Sequence, residues 1–319
     1  MNNTVNRIKL SIIIVNWNVQ ELLKECLNSI FLNFSEENYE VIVIDNASED
    51  DSVERIKEKF PQVKLIVNKE NYGFAKACNQ GLKIARGEYL FLLNPDARVD
   101  PLTLNRIIEF MQENPEVGVG GCYVCNPDGG PQESFYRFPS LLNTFGRMFS
   151  LFRILPLNRL TQPFFWNYPL ENVPQNIDRV LGGAMVIRRE ALEQAGYMDE
   201  SYFLYGEDMD LCYRLKKSGW KISPILGAKV SHYQGQSSKQ DLEKVIFFRF
   251  QNEFIFIKKF YPISQIALFR LLQIMGASLR LGFWALLFLL NPENPETKQN
   301  LKGYLKVLLA PWNYKEVRV

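Results

Sequence analysis

The apolar positions in the first part of the chain switch between two periods. Leu10 to Val15 (LSIIIV) is a run of apolar and β-branched residues, the pattern of a strand buried on both faces. Gln20 to Phe31 then sets Leu22, Leu23, Cys26, Leu27 and Ile30 at helical spacing. Val41 to Ile44 (VIVI) is predicted as a second buried strand, Asp51 to Lys59 as a helix, and Val63 to Val67 as a third, short strand. After the turn Asn71-Tyr72-Gly73 the spacing predicts a helix over Phe74 to Ala85. A fourth strand, Tyr89 to Leu93 (YLFLL), breaks at Asn94-Pro95-Asp96. Strands and helices in alternation predict a doubly wound, mostly parallel sheet with helices on both faces. Ligands of such sheets sit at the carboxyl ends of the strands. Asn16, Asp45 and Asp96 all fall at such ends.

Further on, Gly182-Gly183 precedes a strand over Ala184 to Ile187. A helix starts near Glu207 and stops at Gly219, and His232 follows the strand-like Ala228-Lys229-Val230. Two stretches differ in character. Ser134 to Leu170 carries Arg137, Arg147, Arg153 and Arg159 with no acidic residue, and Phe254 to Pro292 carries Lys258, Lys259, Arg270 and Arg280 with none either. Leu271 to Leu290 has the ~20 residues that a membrane-spanning helix needs, but it contains Gln273 and Arg280. Cationic, acid-free, Trp-bearing segments suit an anionic lipid surface, so interfacial helices are expected here. The alternative is a buried helical pair that closes the core. The expected organisation is a catalytic domain over residues 1–240, with 134–170 as a basic, aromatic insertion on the acceptor or membrane side. An amphipathic helical segment, expected to associate with membrane, occupies 241–319.

Composition narrows this picture. With 47% hydrophobic and 23% charged residues the chain is expected to be globular and ordered. The net charge of +2 includes no basic stripe, so nucleic acid is not an expected partner. The five cysteines are odd in number and scattered, which argues against a disulfide framework and fits a reducing compartment. Cys122 and Cys125 form a lone C-x-x-C within a strand-like VGVGGCYVCN, and no second pair lies near to complete a zinc site. The short polar N-terminus shows no signal-peptide pattern, so the catalytic part is expected on the cytoplasmic side.

Several residues offer chemistry. Asp45, in IDNASEDDS, can accept a hydrogen bond from a base N–H or a ribose hydroxyl. Alternatively the turn supplies a cap for the next helix, through Asn46 or Ser48. Asp96 is a strand-end carboxylate suited to a hard divalent ion that bridges to phosphates, although Asn-Pro-Asp is also good turn chemistry. Glu207, Asp208 and Asp210 crowd a helix start. The dipole favours acids there, and their mutual repulsion makes one a candidate proton acceptor. His232, the single histidine, is either structural or a metal ligand.

The stretches SIIIVNWN, VIVIDNASEDDS, NKENYGFAKACNQGL, GEYLFLLNPDARV, LGGAMVIRREAL and GYMDESYFLYGEDMDLCYRLKKSGWKI occur in this order over about residues 9–235. Together they resemble glycosyltransferase family 2, with the GT-A fold, in its rhamnosyltransferase-like branch. The resemblance implies that Asn16 lines the nucleotide base, that Asp45 binds base or ribose, and that Asn71, Gly73 and Phe74 form the turn beside the nucleoside. Asn94 and Asp96 occupy the family's metal motif, often Asp-x-Asp. With Asn94 in the first position, Asp96 is the main carboxylate ligand, and His232 completes the metal site. Asp208, beside Glu207, matches the general base. Gly183, with Gly182, is expected to border the donor sugar or acceptor, and Arg137 to contact the diphosphate or the acceptor.

The resemblance further implies an inverting transfer that uses Mg2+ or Mn2+ and a dTDP- or UDP-sugar, with rhamnose favoured. The acceptor is expected to be a polyprenyl-diphosphate-linked glycan, and the site of action the cytoplasmic membrane face, peripherally. A nicotinamide oxidoreductase would need G-x-G-x-x-G where this chain has Asn16-Trp17-Asn18-Val19-Gln20-Glu21. A nucleotidyltransferase would need a Gly-rich basic loop near the first strand, which is absent. A non-catalytic sugar-nucleotide or glycan-binding scaffold would be expected to lack Asp96 or Asp208, and both are present.

Overall fold

The structure is a computed structural model that describes residues 8–34, 38–149, 173–233 and 241–310. In chain order the elements are β1 (Leu10–Asn16), α1 (Gln20–Asn33), β2 (Tyr39–Asp45), α2 (Ser52–Lys59), β3 (Lys64–Val67), α3 (Phe74–Ile84), β4 (Tyr89–Leu93) and β5 (Ala97–Val99). Then follow α4 (Thr103–Glu113), β6 (Val117–Cys125), β7 (Phe135–Tyr136), α5 (Leu141–Met148), β8 (Arg179–Val180), β9 (Ala184–Arg188), α6 (Arg189–Ala195), α7 (Glu207–Lys217) and β10 (Lys221–His232). The last three are α8 (Leu242–Phe260), α9 (Ile263–Leu290) and α10 (Pro295–Leu309).

The chain divides into two units, one of residues 1–137, 164–203 and 207–236, the other of 138–163, 204–206 and 237–319. The first holds an eight-stranded sheet of order β3-β2-β1-β4-β9-β6-β10-β5. The strands β3, β2, β1 and β4 run parallel, as their unbroken apolar runs predict. The strand over Ala184–Arg188 runs antiparallel to both β4 and β6, and β5 runs antiparallel to β10. The sheet is therefore mixed but mostly parallel.

Alternation along the strands sends side chains to two helical layers. Leu10, Ile12 and Ile14 join Val41 and Val43 in a core with Leu23, Cys26, Leu27 and Ile30 of α1 and with Leu104, Ile107 and Met111 of α4. The intervening Ile13 and Ile44 face the other way, against Gly81 of α3. All five cysteines are free and buried, so Cys122 and Cys125 are packing residues of the sheet.

In the second unit, α5 begins with a capping box between Ser140 and Asn143, and α8, α9 and α10 are long helices. The segment expected as interfacial helices is one helix of 28 residues. Its polar residues serve the interior of this unit. Arg280 donates to the carbonyls of Met148 (2.8 Å) and Arg147 (3.0 Å) at the end of α5, and Gln273 is fully buried and donates to Phe250 O. Arg147 pairs with Glu253. Arg153 and Arg159 of the basic stretch lie outside the described residues.

Candidate active site

Register builds the first cluster. Asn16 and Asp45 are the last residues of neighbouring parallel strands and are paired Cα to Cα. The Asn16 Nδ2 amide donates to Asp45 Oδ2 at 2.9 Å and to Ser48 Oγ at 3.1 Å, while Asp45 Oδ1 accepts from Ser48 N at 2.9 Å. Asp45 thus closes a turn of its own and is not the cap of α2, whose first residue donates instead to Asp50. Asn16 Oδ1 is buried without a hydrogen-bond partner. An orphaned buried acceptor carries a desolvation cost of about 1–3 kcal/mol, so a ligand N–H there would be favoured.

Asn46, next in the chain, links this strand end to the predicted turn. Its amide donates to Asn71 Oδ1 (2.8 Å) and to Gly73 O (3.3 Å), and it accepts from Tyr72 N (3.1 Å). Gly73 sits at φ +80°, and a side chain there would strike Phe203. Phe74 N donates to Phe203 O at 2.8 Å, which fixes the start of α3.

The second cluster forms where β4 ends. Asn94-Pro95-Asp96 turns the chain into β5, which pairs with the end of β10 and sets His232 opposite Ala97. His232 Nε2 lies 3.0 Å from Asp96 Oδ1 and 3.2 Å from Asn94 Nδ2, and His232 Nδ1 lies 3.0 Å from Gln132 Oε1. Two ligands at about 2.1 Å from one octahedral cation, at right angles, lie about 3.0 Å apart. The separation of Asp96 Oδ1 from His232 Nε2 is that of a direct hydrogen bond, and it equally suits two ligands of one divalent ion. Among the described residues no group of three or more His, Cys, Asp or Glu gathers into a cage. Two protein ligands match an ion whose remaining positions go to phosphate oxygens and water.

The third cluster is the start of α7, where three carboxylates have three environments. Asp210 is fully buried and holds Arg214 (Nε to Oδ1, 2.6 Å) and the Tyr202 hydroxyl (3.3 Å), a structural role. Glu207 is buried with Oε2 unpartnered. Burial, and then the neighbouring Asp208, push its carboxyl up to about 8. Asp208 accepts from Met209 N (2.7 Å) and Gly182 N (3.3 Å), and Arg179 Nη1 lies 3.5 Å from its Oδ1.

The Gly182-Gly183 pair joins the last two clusters. Gly183 O accepts from Asn94 N at 2.9 Å, and a Cβ on Gly183 would overlap the Asn94 amide. Gly182 meets Asp208 instead. Absence of side chains thus brings Asn94 and Asp208 to adjacent residues of one dipeptide. Arg137 directly follows Tyr136, whose ring carries the Arg179 guanidinium at 4.4 Å. Sequence reasoning missed Arg179 and Gln132. Each acts on a residue far away in the chain, and no local window signals that.

The family model described as Glycosyl transferase family 2 matches residues 11–196. Asp208 and His232 lie beyond the matched segment. The chain is 28% identical over 228 residues to the N-acetylglucosaminyl-diphospho-decaprenol L-rhamnosyltransferase of Mycobacterium tuberculosis, covering 68% of this chain and 74% of that protein. Its fold is similar to that of the mannosyltransferase PcManGT from Pyrobaculum calidifontis in complex with GDP-Man and Mn2+, with TM-score 0.55 and 18% identity over 95% of this chain and 86% of that one. It is also similar in fold to GalNAc-T7 with UDP, GalNAc and Mn2+, with TM-score 0.52 and 16% identity over 72% of this chain and 44% of that one.

Proposed function

The chain belongs to glycosyl transferase family 2, and on that premise we propose that it moves a sugar, rhamnose by preference, from a dTDP- or UDP-linked donor to a hydroxyl of a lipid-linked glycan with inversion. The single observation that carries the reading is the Gly182-Gly183 bridge. It sets a strand-end pair suited to a metal-bound diphosphate beside a carboxylate suited to activating a hydroxyl.

In this reading the nucleoside lies at the strand ends of Asn16 and Asp45, beside the Asn71-Gly73-Phe74 turn. Uracil and thymine both present an imide N–H, which suits the orphaned Asn16 Oδ1. Asp96 and His232 would hold a divalent cation, which when bound neutralises charge on the diphosphate. Asp208 accepts the proton of the acceptor hydroxyl as that oxygen bonds to the anomeric carbon. The bond from that carbon to the diphosphate oxygen breaks on the opposite face, and the nucleoside diphosphate leaves with the electron pair. Burial, and then the neighbouring Asp208, raise the Glu207 carboxyl above the ordinary carboxylate range, which favours Asp208 as the proton acceptor. Arg179 supplies a positive charge beside Asp208, and Arg137 is assigned to the diphosphate or the acceptor.

The Mycobacterium tuberculosis relative acts, by its name, on a diphospho-decaprenol carrying N-acetylglucosamine. An acceptor of that class, built into a surface or cell-wall polysaccharide, is the one proposed here. The helix α9 supports a lipid-borne acceptor. It is long and apolar enough to cross a membrane, and it leaves Leu279, Phe283 and Leu286 each more than half exposed at helical spacing. We assign it a peripheral position on the cytoplasmic face, where anionic lipid meets the acid-free segment. The test is transfer from dTDP-rhamnose to polyprenyl-diphosphate-linked N-acetylglucosamine, with the anomeric configuration of the product read by NMR. Inversion of the donor's configuration supports the mechanism, and retention overturns it.

A further inference from the structure

We propose that Gln132 is a positioning residue that makes His232 a metal ligand, by fixing the proton of the imidazole on Nδ1 and leaving Nε2 free toward Asp96. The inference rests on the metal reading given above.

Gln132 is buried, and one of its terminal atoms lies 2.6 Å from the backbone carbonyl oxygen of His232 and 2.7 Å from Asn126 Oδ1. A carbonyl oxygen only accepts, so the atom facing it is the NH2. The other terminal atom is then the carbonyl Oε1, which lies 3.0 Å from His232 Nδ1. That oxygen cannot donate, so Nδ1 carries the hydrogen. The tautomer follows from a chain of donors and acceptors that begins at a backbone carbonyl, which has a single role.

The backbone holds Gln132 in place. Its N donates to Val124 O at 3.0 Å, its carbonyl accepts from Ser134 Oγ at 3.0 Å, and Pro131 bridges to Cys125 at the end of β6. The side chain grips the same histidine twice, at its ring and at its carbonyl. In the neutral ring Nε2 is then the unprotonated nitrogen, and it faces the Asn94 amide at 3.2 Å and the carboxylate of Asp96 at 3.0 Å. Two acceptors so close are held by a shared positive charge, either a proton or a metal ion. Outer partners of this kind typically change metal affinity 10–100-fold when removed.

The protein has one histidine, so a single imidazole reports the outcome. Full-length protein labelled with 15N-histidine, metal-free and at a pH where the ring signals no longer move, is examined by long-range 1H–15N correlation. The Nδ1–H form is expected in wild type, and an Nε2–H form overturns the inference. Mn2+ binding is then measured by electron paramagnetic resonance in the presence of UDP or dTDP, for wild type and Gln132→Leu. A loss of about 10-fold or more is expected in the variant, and an affinity within twofold of wild type overturns the role of Gln132. Wild type that binds no Mn2+ overturns the metal reading itself. If Gln132→Leu does not fold, Gln132→Met replaces it and is read by the same Mn2+ titration, with a loss of about 10-fold or more expected and an affinity within twofold of wild type overturning the role of Gln132.

Discussion

Arg179 Nη1 stands 3.5 Å from Asp208 Oδ1 while its guanidinium lies over the ring of Tyr136. The candidate base is therefore held by an arginine on one strand of the small β7–β8 sheet and by the Gly182 amide just beyond it. Asp208→Asn keeps the shape and loses the proton acceptor. Transfer is expected to fall at least ~100-fold, while stabilisation by nucleotide is unchanged. Equal loss of nucleotide binding contradicts the assignment.

Glu207 gives a pH prediction. Its folded-state value is raised above the unfolded one, so the native protein keeps a proton that the unfolded chain gives up. Its contribution is fully present below about 4.5, the unfolded value, and is lost as pH rises through about 8. Melting temperature should fall across that window in wild type. Glu207→Gln should flatten the fall. A parallel profile in the two proteins argues against a protonated Glu207.

Gly183→Ala tests the bridge between the clusters. The added methyl overlaps the Asn94 amide, and overpacking of this kind costs about 1–3 kcal/mol. The expected result is a lower melting temperature together with weaker Mn2+-dependent nucleotide binding. Unchanged binding would show that Asn94 can move aside without harm to the site.

The exposed stripe on α9 makes a separate prediction. Leu279→Ser, Phe283→Ser and Leu286→Ser together should reduce flotation with anionic vesicles, while the melting temperature stays near that of wild type because these side chains are exposed. Flotation equal to wild type would count against this face as the lipid contact.

The sequence made the parallel half of the sheet legible, because strands buried on both faces write unbroken apolar runs such as VIVI and YLFLL. It also placed Asn16, Asp45 and Asp96 at strand ends, where register pairs Asn16 with Asp45 and the β5–β10 pairing brings Asp96 to His232. It could not sort Glu207, Asp208 and Asp210, since spacing alone does not say which carboxylate meets Arg179, which meets Arg214 and which is buried alone. The partners of Arg280 and Gln273 were not legible for a related reason: within an apolar run nothing local says that they satisfy carbonyls at the end of α5 and within α8. Such partners are set by tertiary pairing over long sequence separation, which local pattern does not encode.

The most direct test of the central claim is thermal stabilisation by UDP and dTDP, with and without Mn2+, in wild type and Asp96→Ala. A ligand that binds only the native state raises the melting temperature. The account predicts stabilisation by at least one nucleotide that grows with Mn2+ in wild type, and loss of the Mn2+ increment in Asp96→Ala. No stabilisation of wild type by either nucleotide, with or without the metal, would contradict it.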